Sequence, residues 1–344
     1  MSLTDLNTLP PPPAGYHSWP WTAAPLPLPP TLPDGSDWPA ISIVTPSYNQ
    51  GQFIEATIRS VLLQGYPNLE YIVVDGGSND ESVAIIRKYA PWLAHWVSEP
   101  DDGQSDAIIK GMRRASGTIC NWLNSDDLLQ PGALQQIGHF FAVNPHCVWL
   151  TSDVNIVDSA ALQTIYYHRR AAYAFAELLH YHRGIYLPQP GTFYRRDAFF
   201  AVGGLDRGLY YTMDLDLWLR LGSRYALDYL PETLAVTRYH DDAKTWRDNE
   251  IAMREVSKVI KRYLFKLRLV ERVKILLELR CFLSRVACKY GLHQYFQQQY
   301  DEAWRAFARS VSLCPTIALD PIGMRLILRL ILPLQIRQLI FTKP

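Results

Sequence analysis

The chain has 344 residues, a formal net charge of +1, 48% hydrophobic and 19% charged residues. A balanced charge argues against a generic nucleic-acid binder, which needs a basic surface, and the length suits one large domain plus an appendage. Five widely spaced cysteines (Cys120, Cys147, Cys281, Cys288, Cys314) without a CxxC pair suggest neither a zinc site nor a disulfide framework and read as reduced thiols.

Residues 1–40 form a proline-rich arm with Pro10 to Pro13, Pro25, Pro27, Pro29 and Pro30. Such a segment makes neither helix nor central strand. Its tryptophans (Trp19, Trp21, Trp38) predict that it docks on the following domain. No basic start followed by an apolar run marks a secretion signal. No stretch approaches the roughly 20 uncharged apolar residues of a membrane span. The expectation is a cytoplasmic protein.

From Ile41 the pattern changes. Ile41-Ser-Ile-Val-Thr45 is a β-branched run ended by Pro46, and a helical pattern follows through Phe53, Ile54, Ile58, Val61 and Leu62. Strands are predicted at 69–74, 95–98 and 118–123, and helices at 81–89, 105–115 and 132–141. Strands alternating with helices imply parallel strands joined by crossovers, and nearly continuous apolar strands imply two covered faces. A strand is predicted at 147–157. Residues 160–240 are less regular, with one clear helix at 215–221. Residues 251–344 read as a basic helical extension: Arg254 to Lys289 hold eleven basic residues against three acids.

In open α/β sheets, ligands bind beyond the carboxyl ends of the strands. Those ends carry Thr45-Pro-Ser-Tyr-Asn49, Asp75, Glu99-Pro-Asp-Asp102 and Asp126-Asp127. Carboxylates crowded at one rim repel unless neutralised. A hard divalent cation with oxygen ligands is the natural neutraliser, and Mg2+ or Mn2+ so bound completes its shell with substrate phosphates. Taken singly, Asp126-Asp127 also fits a helix N-cap and Asp75-Gly-Gly-Ser a tight turn.

Thr-Pro-Ser-Tyr-Asn-Gln (45–50), Val-Val-Asp-Gly-Gly-Ser (73–78), Ser-Glu-Pro-Asp-Asp-Gly-Gln-Ser-Asp-Ala (98–107) and Trp-Leu-Asn-Ser-Asp-Asp (122–127) together resemble the family 2 glycosyltransferases. A weaker likeness continues to about Thr245. The resemblance implies a GT-A fold, a Rossmann-like, mostly parallel sheet flanked by helices, over 41–250. It implies a metal-dependent inverting transferase moving sugar from a UDP- or dTDP-linked donor to a saccharide, lipid-linked or protein acceptor, as in cell-surface polysaccharide or glycolipid synthesis.

By the same resemblance Thr45, Pro46 and Tyr48 would line the base and ribose, and Asp75 would accept from the base. Ser105 and Asp106 would sit near the donor. Asp126 would hold the ribose or assist the metal, and Asp127 would bind the metal. His240 matches a histidine that in some relatives contacts metal or diphosphate, with Lys244 and Thr245 near phosphate. Asp214, in Met213-Asp-Leu-Asp-Leu-Trp-Leu-Arg220, aligns with the catalytic base, and Asp216 reads as structural. Met213 stands where many relatives carry glutamate, and Ile109 replaces a polar amide. Gln189-Pro-Gly-Thr192 resembles an acceptor-side loop.

Two other readings compete. A nucleotidyltransferase would want a basic phosphate loop after the first strand, where no Lys or Arg occurs before Arg59. A binding module that lost catalysis would not need Asp126, Asp127 and Asp214 together. The basic helices from Arg254 onward, and residues 324–340, fit either an anionic membrane surface or a solvated and core helix.

Overall fold

The structure, a computed structural model, describes residues 8–16, 18–21, 28–158, 164–168, 173–185, 187–240 and 249–332. Four apolar runs build half of one sheet. β1 (Ile41–Ser47), β2 (Leu69–Asp75), β3 (His95–Ser98) and β4 (Ile119–Trp122) lie parallel in the order β3-β2-β1-β4. β1 is buried at all seven positions. The crossovers are α1 (Gly51–Leu62), α2 (Ser82–Tyr89) and α3 (Gln104–Arg114). α3 lies close on β1 because Gly111 has no side chain: a Cβ there would stand 2.3 Å from Val44 Cγ1.

Beyond β4 the sheet is mixed. In chain order come β5 (Asp127–Leu129), α4 (Ala133–Val143), β6 (Trp149–Asp158), β7 (Thr164–His168), α5 (Phe175–Leu178), β8 (Thr192–Arg195), α6 (Arg196–Ala201), α7 (Met213–Gly222) and β9 (Leu227–Tyr239). The sheet continues β4-β8-β6-β9-β5, with β7 on β6. β8 is antiparallel to β4 and β6, β9 is parallel to β6, and β5 is antiparallel to β9. The stretch that reads as irregular in sequence therefore supplies β7, β8 and β9. Behind this half, the buried rings of Trp122, Trp218 and Trp149 stack at 5.8 Å centroid spacings. Trp218 belongs to α7, so the stack fixes the helix that starts at Met213.

The proline-rich arm is tied to the sheet layer by one buried cation. Arg59 on α1 donates from Nη1 to the Pro10 carbonyl (2.7 Å) and from Nε to that of Pro20 (3.1 Å). Its guanidinium lies 5.4 Å from the Trp21 ring. Trp19 Nε1 donates to the Leu129 carbonyl at 2.8 Å.

The chain divides into two units, Met1–Leu178 with Tyr186–Asp241, and Leu179–Ile185 with Asp242–Pro344. The second is helical: α8 (Asn249–Tyr263), α9 (Leu269–Phe296), α10 (Tyr300–Leu313) and α11 (Pro321–Ile331). A small core of Cys288, Phe307, Ile317 and Leu326 joins the last three. α11 buries Leu326 and Arg329, whose guanidinium sits 5.2 Å from the Phe296 ring. α11 packs one face into this core while Met324 and Ile331 stay exposed; residues 333–340 lie outside the described residues. No described helix is long and apolar enough to cross a membrane.

Candidate active site

The strand ends converge as the topology requires. Asp75, the last residue of β2, is fully buried. Its Oδ2 accepts from the Gly77 and Ser78 amides and from Ser98 Oγ (3.1, 2.9 and 2.7 Å), and its Oδ1 from Ser78 Oγ (2.5 Å). The tight turn is thus real, and Oδ1 keeps one lone pair for a further donor. Asn49, at φ +51, ties the first loop to the second: its amide donates to Ser78 Oγ and its Oδ1 accepts from the Asn79 amide. Asp101 lies so close to Gly76 that a Cβ there would stand 2.8 Å from its Oδ2. Burial first, then the charges of Asp106 and Asp75, push the Asp101 carboxyl above its ordinary range.

Thr45 and Tyr48 part company. Thr45 is buried, with its hydroxyl 3.0 Å from Tyr71 Oη. Pro46 is buried in β1, and Tyr48 is 62% exposed at the loop tip. Ser47, not anticipated from sequence, has a buried hydroxyl without a hydrogen-bond partner among the described residues.

Asp126 and Asp127 do not cap α4: its N-cap is Gly132, with no side-chain cap. They straddle the start of β5, where Asp127 pairs with Thr237 of β9. That pairing delivers Arg238 and His240. Arg238 donates from Nε to the Asp126 carbonyl (2.5 Å) and from Nη2 to the Phe53 carbonyl (3.2 Å) and Thr57 Oγ1 (3.1 Å). His240 Nε2 lies 3.1 Å from Asp126 Oδ2, its ring stands 4.5 Å from that of Phe53, and its buried Nδ1 has no hydrogen-bond partner among the described residues.

Asp127 is buried and faces Asn124, whose Nδ2 donates to Oδ2 at 3.1 Å. Among the described residues no Lys or Arg forms an ion pair with its carboxylate. Burial, then the Asp126 charge, push its carboxyl well above the ordinary range. Hydrogen bonds from Asn124 and Thr237 and the Arg238 charge act against this without outweighing it, so a proton or a bound cation would relieve the Asp127 carboxylate.

Ser105 and Asp106 open α3. Ser105 Oγ donates to Met213 Sδ at 2.8 Å, which joins the start of α3 to the start of α7. Asp106 is ion-paired with Arg207 (2.7 Å) and Lys110 (3.4 Å). Asp214 lies in the first turn of α7, half-buried, accepting from the Leu215 amide at 2.7 Å. Asp216 is buried in an ion pair with Arg220 at 2.8 Å. Gln189 donates to Asn121 Oδ1 and the Trp122 carbonyl, which places its loop against β4. Ile109 is buried. Lys244 and Thr245 lie outside the described residues.

Among the described residues, the three metal-ligating side chains whose ligand atoms lie within 4.8 Å of one another are elsewhere, at His180, His182 and Glu278. There Arg183 binds both Glu278 oxygens. Burial alone would raise the Glu278 carboxyl, but hydrogen bonds from Arg183 and His182 outweigh it and hold it low. That group is neutralised by its own cation. At the strand ends Asp126 and His240 meet, while Asp127 stands apart facing Asn124.

Residues 42–201 match the family model for glycosyl transferase family 2. The chain carries a family 2 glycosyltransferase domain. An uncharacterised glycosyltransferase of Rickettsia typhi is 27% identical over 268 residues, covering 75% of this chain and 82% of the relative. Two solved structures share the fold. Staphylococcus aureus TarS 1–349 in complex with UDP-GlcNAc superposes with TM-score 0.54 at 15% identity, over 79% of this chain and 91% of that one. The mannosyltransferase PcManGT of Pyrobaculum calidifontis, in complex with GDP-Man and Mn2+, gives 0.52 at 18% identity, over 94% and 91%. The glycosyltransferase domain is thus GT-A-like, and Arg238 and His240 lie beyond the segment matched by the family model.

Proposed function

We propose that this domain transfers a sugar, with inversion, from a nucleoside-diphosphate sugar to an acceptor hydroxyl. The observation that carries the reading is Asp127: a buried carboxylate with no direct Lys or Arg ion pair among the described residues, at the carboxyl ends of the strands and next in sequence to Asp126, which meets His240. Two carboxylates and an imidazole suit Mg2+ or Mn2+, with diphosphate oxygens completing the shell. The cation would offset charge growing on the leaving diphosphate. Asp127 would bind it with Asp126 and His240, and Arg238 would hold the Asp126 backbone still. The free lone pair on Asp75 Oδ1 would accept from a base N–H, which favours uracil or thymine. The crystal partner of TarS, UDP-GlcNAc, is a donor of that kind. The wall of the base pocket would be Pro46 and Tyr48 with the Thr45 backbone, and Ser105 and Asp106 would lie by the donor. Asp214 would take the proton of the attacking hydroxyl.

Calorimetric titration with UDP-GlcNAc, UDP-glucose, dTDP-rhamnose and GDP-mannose, with and without Mn2+, tests this. One donor binds only with Mn2+, and Asp127→Ala abolishes that binding. Asp214→Asn spares it while turnover falls by about 10²–10⁴-fold. A folded protein that binds no donor overturns the reading.

We further propose that the acceptor is met at an anionic membrane surface. Leu269 (73%), Val270 (80%), Val273 (48%) and Leu277 (57%) are exposed on the first turns of α9, and Phe265 (66%) is exposed in the turn before it. Lys266, Arg268 and Lys274 flank them. A second copy would bring like charges together, whereas anionic lipid neutralises them at about 1 kcal/mol per basic side chain. The protein should float with phosphatidylglycerol vesicles and not with phosphatidylcholine, and Leu269→Asp with Val270→Asp should stay in the soluble fraction. Wild type left in that fraction with both lipids rejects the surface.

A further inference from the structure

Five cysteines divide into two kinds. Cys120, Cys147 and Cys288 are buried, and each is pushed up first by burial, Cys120 to about 12. They behave as small apolar side chains. Cys281 and Cys314 differ in place and surroundings. Cys281 lies on α9, half-buried, and Cys314, also buried, is the residue that ends α10. Their sulfurs are 2.6 Å apart, closer than two unbonded sulfurs rest and only about half an ångström beyond the usual bond of about 2.05 Å.

The surrounding contacts hold this approach in place. Ser284 Oγ donates to the Ser310 carbonyl at 2.7 Å, and Arg280 Nε to the Leu313 carbonyl at 3.1 Å. Further along, a Cβ on Gly291 would lie 3.2 Å from Ala306 Cβ, so the two helices run close together. The sulfurs can separate only by rotating side chains or by parting helices that these bonds join.

We propose that Cys281 and Cys314 are a reversible disulfide site, closed and opened by exchange with small aliphatic disulfides and thiols. The half-buried Cys281 reacts first. Its thiolate attacks the small disulfide, forming a mixed disulfide and releasing one small thiolate. Cys314 then attacks Cys281 Sγ and expels the second. The two protein thiols lose two protons, which the two small thiolates take up, and the protein loses two electrons to the reagent. The chemistry around Cys314 suits the second step. In the reduced protein hydrogen bonds from Cys281, then Thr316, hold its thiol below the ordinary range; in the mixed disulfide Cys281 has no S–H left to donate, and the Thr316 hydroxyl, 3.2 Å away, remains to favour the thiolate that attacks. The Cys281 thiol is itself pushed up, first by its contact with Cys314 and then by burial, against the positive charge of Arg285 and Arg280, so its place as the first to react rests on its exposure. Once closed, the bond would staple α9 to the turn at Pro315–Leu319 that leads into α11.

Treatment of the full chain with oxidised glutathione, then maleimide and mass mapping under non-reducing conditions, tests the site. The expected result is a fall from 5 reactive thiols in the unfolded protein to three, with one cross-linked peptide pair carrying Cys281 and Cys314. Oxidised protein should unfold several degrees above the same protein with dithiothreitol. Cys281→Ser and Cys314→Ser should each remove that difference, and the remaining thiol should carry a glutathione adduct at most. If all five thiols of the folded, glutathione-treated protein still react once it is unfolded, or the cross-link joins other cysteines, the proposal is overturned.

Discussion

Arg238 carries a charge into the floor of the strand-end crevice and spends its donors on oxygens of Asp126, Phe53 and Thr57. Burial is the first cause that lowers its pKa, to about 10, while Asp126 and Asp127 act in the opposite direction. Arg238→Met would keep the bulk over the Phe53 ring and strip those donors. The expected cost is about 2–3 kcal/mol, read as a lower urea midpoint, together with weaker Mn2+-dependent donor binding. Unfolding and binding like the wild type would show that Arg238 anchors nothing. Asp75, Asp126 and Asp127 were legible in the sequence because strand ends are legible and carboxylates there stand out. Arg238 was not, since its partners are mostly main-chain oxygens far away in sequence, and pattern carries no trace of them.

Elements differ in how plainly they read. β1 and β4 are buried at every position and β2 at its last five, so these three appear as apolar runs closed by polar loops, while β3, half-buried at the sheet edge, reads less plainly. β5 has three residues, too few for any period. β9 holds Pro231 and Glu232, which step out of register with β6 between Leu230 and Thr233, and a proline demotes a predicted central strand. The packing of α3 on β1 can be tested directly. Gly111→Ala should cost about 1–3 kcal/mol from overpacking against Val44. With Val44→Ala in the same chain, the pair should cost less than the sum of the single changes, by at least about 0.5 kcal/mol. Strict additivity in thermal unfolding would place the strain elsewhere. Glu70 gives an acid-sensitive joint between β1 and the turn before β4. Burial alone would raise its carboxyl, but hydrogen bonds from Ser42, Ser116 and Gly117 outweigh it and hold it below the ordinary 4.5. A depressed folded-state pKa means stability fully present above 4.5 and lost as pH falls through the folded value. Glu70→Gln should flatten that acid limb; an unchanged limb would assign it to other carboxylates.

At the scale of the whole molecule, the proline-rich arm was legible from composition, and its anchor was not, because Arg59 sits in an amphipathic helix where a charge reads as solvent-facing. Arg59 is 4% exposed. Arg59→Met should speed protease cleavage within residues 8–21 several-fold while donor titration changes little. Equal cleavage rates would show that Trp19 and its neighbours hold the arm without the cation.

β9 fills the space between β6 and β5, and so joins the two ends of the mixed half-sheet. The span matched by the family model stops at residue 201, before this strand begins. A polypeptide ended there would leave β6 and β5 with raw edges open to pairing with other chains, and Asp127 would lose its backbone partner. The span by which the domain is recognised is therefore not one that can be excised or grafted: a chimaera that exchanges donor preference would have to carry residues 202–240 across with it.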